Sequence, residues 1–394
     1  MFQAIPTPKG DPILSLITEF RNDPRDQKID LGIGVYKDDH GITPVMQAVT
    51  LAEQVLLNAN GTKSYQGLTG DEQYNESITQ LLLSGTSALD RCATLQTPGA
   101  SGALRMLADL IADTAPNSTV WISNPSYVNH RPIMEKAGLT VKEYSYLDAQ
   151  TKAVDEDAML AQFAALGSND VVLLHGCCHN PSGADMSLEA WQKIAELANK
   201  QGFLPFIDIA YQGLGDGLEE DTKGLHIIAN QVDEFVISTS CSKNFGLYRE
   251  RTGAALIVSN TLTAAMNSRA KMCELARGSY SMPPAHGAAV VDTILRDDNL
   301  NAIWRKELTA MNTRVNGLRA ALVQEFQAAT QSNRFDYFGE HKGMFTLTCI
   351  SNEHIAQLKE QFGIYIVGGG RINVAGLNQS QVKPLVEAFV SIGA

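Results

Sequence analysis

Ser240, Ser242, Lys243 and Arg251 fall within one short stretch, residues 236–253, that begins as a strand and ends in a turn. Phe235-Val236-Ile237 is β-branched and apolar, as a buried strand would be, and it delivers hydroxyls, a lysine and an arginine to its carboxyl end. Hydroxyls and a guanidinium suit a phosphate. A lysine beside them suits attack on an aldehyde. The same residues could form a solvated polar loop. However, Lys243 is set between the apolar strand and Asn244-Phe245-Gly246, a poor setting for an idle surface charge.

Three further positions carry chemistry. Asp208 ends the run Phe206-Ile207-Asp208-Ile209, and a carboxylate among such neighbours needs a cation or a turn to cap. Thr97-Pro98-Gly99-Ala100-Ser101-Gly102 leads into a helical stripe of Leu104, Leu107, Ala108 and Ile111, so backbone amides there could cradle a phosphate. Arg371 follows three glycines and precedes an apolar strand. His175, Cys177, Cys178 and His179 suggest zinc. Yet adjacent cysteines do not easily face one ion and no second ligand pair follows, so no metal is expected. Leu31-Gly32-Ile33-Gly34 lacks the third glycine and the helix of a dinucleotide fingerprint.

The elements that must hold these residues alternate. Apolar strands near 119–123, 140–146, 171–175, 203–209, 235–239 and 254–258 are separated by helical stretches near 131–137, 155–166 and 187–201. This pattern predicts an α/β fold: a mostly parallel sheet sandwiched by helices, with ligands beyond the carboxyl ends of the strands. Ser187 is the expected cap and Gly202 the expected stop of the last of these helices. Helices are also expected at 13–20 and 45–58. A long one at 300–329 leads into a smaller α/β domain.

The 394 residues suffice for two domains, and 44% hydrophobic with 19% charged content is ordinary for a globular protein. A net charge of −12 argues against nucleic acid or an anionic membrane as partner. The six cysteines show no disulfide spacing, residues 1–10 lack the apolar core of a secretory signal, and no run is long enough to span a membrane. A cytoplasmic protein with reduced thiols is expected.

Ser240-Cys241-Ser242-Lys243-Asn244-Phe245-Gly246-Leu247-Tyr248 resembles the pyridoxal-phosphate lysine segment of class I aminotransferases, the group of aspartate and aromatic-amino-acid aminotransferases. The likeness runs from Asp11-Pro12-Ile13-Leu14 to Gly370-Arg371-Ile372-Asn373-Val374-Ala375-Gly376. It implies the fold type I of pyridoxal-phosphate transferases. It also implies a homodimer with an arm (1–12), a small domain (13–44 and 300–394, including the interdomain helix) and a large cofactor domain (45–299). By resemblance Lys243 holds pyridoxal 5'-phosphate and moves the proton, while Asp208, backed by His130, meets the ring nitrogen. Asn180 and Tyr211 bond the ring oxygen, and Tyr127 covers the ring. Ser101, Gly102, Ser240, Arg251 and the partner subunit's Tyr65 hold the phosphate. Arg371 would clamp the substrate α-carboxylate, with Gly34, Asn180 and Tyr127 beside it. Arg277 would reach acidic side chains across the dimer. Read without the family, Arg277 is a helix C-terminal cation.

Departures from the family pattern bear on substrate. Tyr127 stands where tryptophan is common, Ser101 where aspartate-selective members have threonine, and Met282 where they have asparagine. Lys37 and Thr43 look like the aspartate type. The mixture implies amino-group transfer between aromatic or dicarboxylic amino acids and 2-oxo acids such as 2-oxoglutarate. The alternatives are an aspartate aminotransferase with little aromatic activity and a pyridoxal-phosphate lyase on the same fold. A DNA-binding regulator built on this fold would need extra length and a basic segment.

Overall fold

The computed structural model describes residues 2–5 and 12–394. Its centre is a seven-stranded sheet: β1 (Cys92–Pro98), β2 (Thr119–Asn124), β3 (Thr140–Ser145), β4 (Asp170–His175), β5 (Leu204–Ile209), β6 (Phe235–Ser240) and β7 (Thr252–Val258). The order is β1-β7-β6-β5-β4-β2-β3. Only β7 runs antiparallel to its neighbours, so the other strands end on one edge and β7 begins there. Strands β6 and β7 are buried along their whole length, as expected of strands covered on both faces.

Alternate residues of each strand serve opposite faces. Leu95, Val120, Phe206 and Val236 pack under the helices Gly99–Thr114, His130–Lys136 and Leu262–Ser279. On the other face Val172, Ile207 and Ile237 meet Leu188–Gln201, Lys223–Gln231 and Ala285–Arg296. Register then sets the chemistry: His175 pairs with Asp208 and Asp208 with Ser238, one row across three strands at the carboxyl edge.

A second core gathers Ile29 and Leu31 with Leu318, Leu322, Phe326, Ile364, Ile372 and Phe389. Two small sheets frame it: Ile29–Asp30 parallel to Ile364–Tyr365, and Phe345–Leu347 antiparallel to Arg371–Asn373. The helix Asp298–Thr330 joins the two cores. Leu300, Trp304, Leu308, Met311 and Val315 belong to the first, and Leu318, Leu322 and Phe326 to the second. Asp297 caps this helix by accepting the Asn299 and Leu300 N–H groups at 2.9 Å.

The expected helices form with shifted ends: Pro12–Asn22, Gln47–Ala59, His130–Lys136 and Leu188–Gln201, the last capped by Ser187 and stopped by Gly202 at φ +83°. The stretch expected at 155–166 is helical over Glu156–Phe163; Asp155 stands outside it as the cap, accepting the Ala158 N–H, and Ala164 closes the other end. Of the expected arm, Phe2–Ala4 forms a 3-10 turn, and residues 1 and 6–11 lie outside the described residues. Periodicity alone missed strand β1 and the helices Glu72–Leu83, Lys223–Gln231 and Ala285–Arg296, while Leu262–Ser279 was foreseen only at its end, where Arg277 sits in the last turn. Strand β1 hides because it buries polar residues: Gln96, fully enclosed, donates to Pro284 O at 2.7 Å and accepts the Asp71 N–H at 2.8 Å. Among the described residues no helix is long and apolar enough to cross a membrane.

Candidate active site

A cavity of about 200 Å³ opens at the carboxyl edge of the sheet. It is lined by Gly34, Ser101, Tyr127, Asn180, Asp208, Tyr211, Ser240, Lys243 and Arg251, together with His175, Ser242 and Tyr248. Ten of the residues singled out from sequence for this chemistry line the cavity, Ser242 included, and His130 stands behind Asp208.

Asp208 is held from two sides. Ser238 donates to Oδ1 at 2.7 Å, and His130 Nε2 lies 2.9 Å from Oδ2. Ser126 Oγ is 2.9 Å from the other His130 nitrogen and fixes the ring. Burial alone would push the Asp208 carboxyl up. The His130 hydrogen bond and charge, helped by Ser238, outweigh it and hold the carboxyl below its ordinary value. Asp208 is thus a standing anion on the cavity wall. His175 packs 5.0 Å from the His130 ring with both its nitrogens unpartnered, and burial pulls it down to about 3, so it stays neutral.

Lys243 lies on the turn after β6, with Nζ 4.8 Å from the centre of the Tyr211 ring. That turn is anchored from behind. Trp304 stacks on Phe245 at 4.5 Å, and its indole N–H donates to Asn244 O at 2.8 Å. Burial lowers the Lys243 ammonium to about 8; Asp208 opposes the shift and Arg251 reinforces it. The Tyr211 hydroxyl is pushed up by burial and accepts from Asn180 Nδ2 at 3.3 Å.

The lining also has a basic part, at Arg251. The helix Gly99–Thr114 begins there without a side-chain cap, leaving first-turn amides free for an anion. Gly99 sits at φ +69°, and a Cβ on it would come 2.5 Å from Arg251 Nη2, so only glycine lets the guanidinium pass. Arg251 Nη1 reaches Ser242 Oγ at 3.4 Å, and Ser240 Oγ accepts the Ser242 N–H at 3.1 Å. Gly102 lies in the first turn of this helix.

Arg371 comes from the second core. Its Nη2 donates to Gly32 O at 2.7 Å, its guanidinium lies 4.5 Å from the centre of the Phe345 ring, and Nε is buried without a partner. Burial lowers its pKa. Phe345 also meets the Tyr211 ring edge-on at 5.9 Å, and a Cβ at Gly34 would come within 2.9 Å of it. Phe345 was not singled out from sequence. Its signal is the register that sets Phe345–Leu347 against Arg371–Asn373, which needs the strand pairing first. Ser238 was missed too, although it lies two residues before Ser240 on the same strand face.

Two predicted residues stand apart. Tyr65 is 95% exposed, and Arg277 is exposed on the last turn of Leu262–Ser279; neither lines the cavity of its own chain. Lys37 is spent on Asp30 at 3.2 Å and Thr43 on Tyr36 O at 2.9 Å. The cysteine expectation needs a correction. Cys178 has φ +51°, and both adjacent thiols lie with the Asp221 carboxylate inside a 4.8 Å group. That carboxylate already accepts three backbone N–H bonds, from Gly213, Gly215 and Asp216. His179 faces away from them, bonded to Ser123 and Ser182.

A lysine with a depressed pKa, a fixed carboxylate and an anion cradle at the carboxyl edge of a parallel sheet define a site for covalent amine chemistry on a phosphorylated group. The chain belongs to the class I and II aminotransferases, whose family model matches residues 26–389. It is 45% identical to an aromatic-amino-acid aminotransferase of Paracoccus denitrificans over 97% of both chains. It is 44% identical to an aspartate aminotransferase of Salmonella typhi over the full length of both. Among solved structures, an aromatic-amino-acid aminotransferase of Burkholderia pseudomallei, covalently bound to pyridoxal phosphate, superposes with a TM-score of 0.97. It is 35% identical, with 100% of this chain and 99% of that one covered.

Proposed function

We propose that this aminotransferase uses pyridoxal 5'-phosphate to move amino groups between aromatic as well as dicarboxylic amino acids and 2-oxo acids such as 2-oxoglutarate. The observation that carries it is that one small cavity is lined by both Asp208, clamped by His130 and Ser238, and the Lys243 amine, lowered to about 8.

The donor set fits the cofactor. Ser101, Gly102, Ser240 and Arg251 would take the phosphate, Asp208 the pyridinium nitrogen, and Asn180 and Tyr211 the ring oxygen, with Tyr127 against the ring. Lys243 would bind the aldehyde carbon. Bound there, pyridoxal phosphate supplies an electron sink that makes the substrate Cα–H acidic. Lys243 as free amine takes the Cα proton and as ammonium returns it, so the proton count closes. Arg371, supported by Gly34 and Asn180, holds the α-carboxylate in a two-pronged bond.

The reading includes a cytoplasmic homodimer, supported by the family and by side chains that a single chain leaves idle. Exposed Tyr65 would complete the phosphate cradle of the opposite subunit, and exposed Arg277 would meet an acidic side chain there. Exposed Val45, Val55 and Leu57 offer apolar surface near by in sequence. We also assign residues 1–12 to an arm, 13–44 with 300–394 to the small domain and 45–299 to the large one. Aromatic acceptance is supported by Ser101 and by Met282, an adaptable apolar side chain just past Arg277. A substrate panel tests the assignment: kcat/KM for phenylalanine, tyrosine, tryptophan and aspartate with 2-oxoglutarate. Absence of phenylalanine turnover beside brisk aspartate turnover would leave the aspartate-selective alternative.

A further inference from the structure

Arg319, on the helix Asp298–Thr330, is only 1% exposed, and its hydrogen-bond acceptors are all neutral. All its donors go to one turn of chain. Nη1 donates to Phe338 O at 2.9 Å and Thr346 Oγ1 at 2.8 Å. Nη2 donates to Gly343 O and Phe345 O, both at 2.7 Å, and to Lys342 O at 3.3 Å. Nε also reaches Gly343 O, at 3.3 Å. Burying a guanidinium against neutral acceptors is costly, and an apolar residue of similar size is often no worse for stability. A charge kept there points to geometry rather than stability.

The turn it gathers touches both halves of the carboxylate site. Phe345 carries the ring beneath Arg371. From the same segment, the Lys342 N–H donates to Gly183 O at 2.6 Å and the Leu347 N–H to Ser182 O at 3.2 Å. These bonds tie down the loop that presents Asn180 to Tyr211. We propose that Arg319 is a positioning residue: by gathering the 338–346 turn it sets the Phe345 ring under Arg371 and the Asn180 loop at one spacing across the substrate carboxylate. This rests on Arg371 being the α-carboxylate clamp.

The test compares Arg319→Lys, Arg319→Gln and Arg371→Ala in the holoenzyme, with phenylalanine and aspartate as substrates. Lysine keeps the charge but not the planar fork, so both Arg319 variants should raise KM for both substrates about tenfold or more while kcat falls less than about threefold. The visible cofactor band should be unchanged. A merely structural arginine would lower Tm and leave KM alone, and that result in either folded variant overturns the proposal. Should neither fold, Phe345→Leu reads the platform directly, and an unchanged KM for both substrates there overturns it equally. If Arg371→Ala leaves KM untouched, the clamp assignment itself fails, a result distinct from failure at Arg319.

Discussion

His130 Nε2 lies 2.9 Å from Asp208 Oδ2, and neither residue is more than slightly exposed. With Ser238 on the other oxygen, the carboxylate has little freedom to rotate and its charge points into the cavity. Asp208→Ala should therefore keep part of its cofactor yet lose two to four decades of kcat. Breaking a buried charged pair costs about 3–5 kcal/mol, and each decade is about 1.4 kcal/mol. Steady-state rates of the cofactor-saturated variant decide it; activity within threefold of wild type would make Asp208 structural.

Lys243→Ala should abolish the visible absorbance band of the purified protein until an external amine is supplied. The lowered pKa adds a pH signature. Because burial disfavours the ammonium, the reactive free amine of the cofactor-free protein grows in as pH rises through about 8, where an unburied lysine would require about 10.5. The rate of pyridoxal phosphate uptake against pH reads this directly. A midpoint near 10.5 would remove the claim.

Arg371 and Arg277 should separate by substrate. Arg371→Ala weakens phenylalanine and aspartate alike, since both carry the α-carboxylate. Arg277→Ala should cost aspartate about two decades in kcat/KM and phenylalanine less than about tenfold, because an arginine left unpaired under an aromatic ring would cost about 2–5 kcal/mol and must swing to water. The exposure of Arg277 and the open space beside Gly278 are consistent with that swing. Equal losses for both substrates in Arg277→Ala would refute it.

Acid should weaken the fold through His341. Burial lowers this histidine to about 4, while its Nε2 lies 2.8 Å from Lys152 O. A depressed pKa gives stability that is whole above about 6.5 and is lost as pH falls toward 4, up to about 2 kcal/mol by pH 5. Asp185, raised by burial to about 6, acts in the opposite sense over pH 4–6 and blunts the total. His341→Gln keeps a donor without the titration, so its urea midpoint should fall less between pH 7 and 5 than that of wild type. An identical fall in both would refute the assignment.

Much of the site was legible because its residues cluster at strand ends. Apolar runs locate β5 and β6, so Asp208, Ser240 and Lys243 follow from counting to the end of each run. Arg371 was visible from its glycines. Phe345 and Arg319 were not, since each matters through partners that only pairing or a turn brings near. Strand β1 escaped because polar Thr94, Gln96 and Thr97 are buried there: Gln96 is satisfied by Asp71 and Pro284, Thr94 by Thr79 on the helix Glu72–Leu83, and Thr97 by the nearby Gly99 carbonyl. The roles proposed for Tyr65 and Arg277 rest on resemblance alone, for their surroundings within one chain say nothing of a cofactor.

The helix Asp298–Thr330 spends one half in each core, so its backbone ladder couples their melting. Helical order is cooperative, and fraying near Leu318 would propagate toward Trp304, the residue that braces Phe245 and the turn of Lys243. Loss of the second core would thus loosen the lysine of the first, and neither unit should unfold alone. Amide exchange along the helix would then show one common opening free energy from Leu300 to Phe326, with separate values for its two halves arguing for independent units.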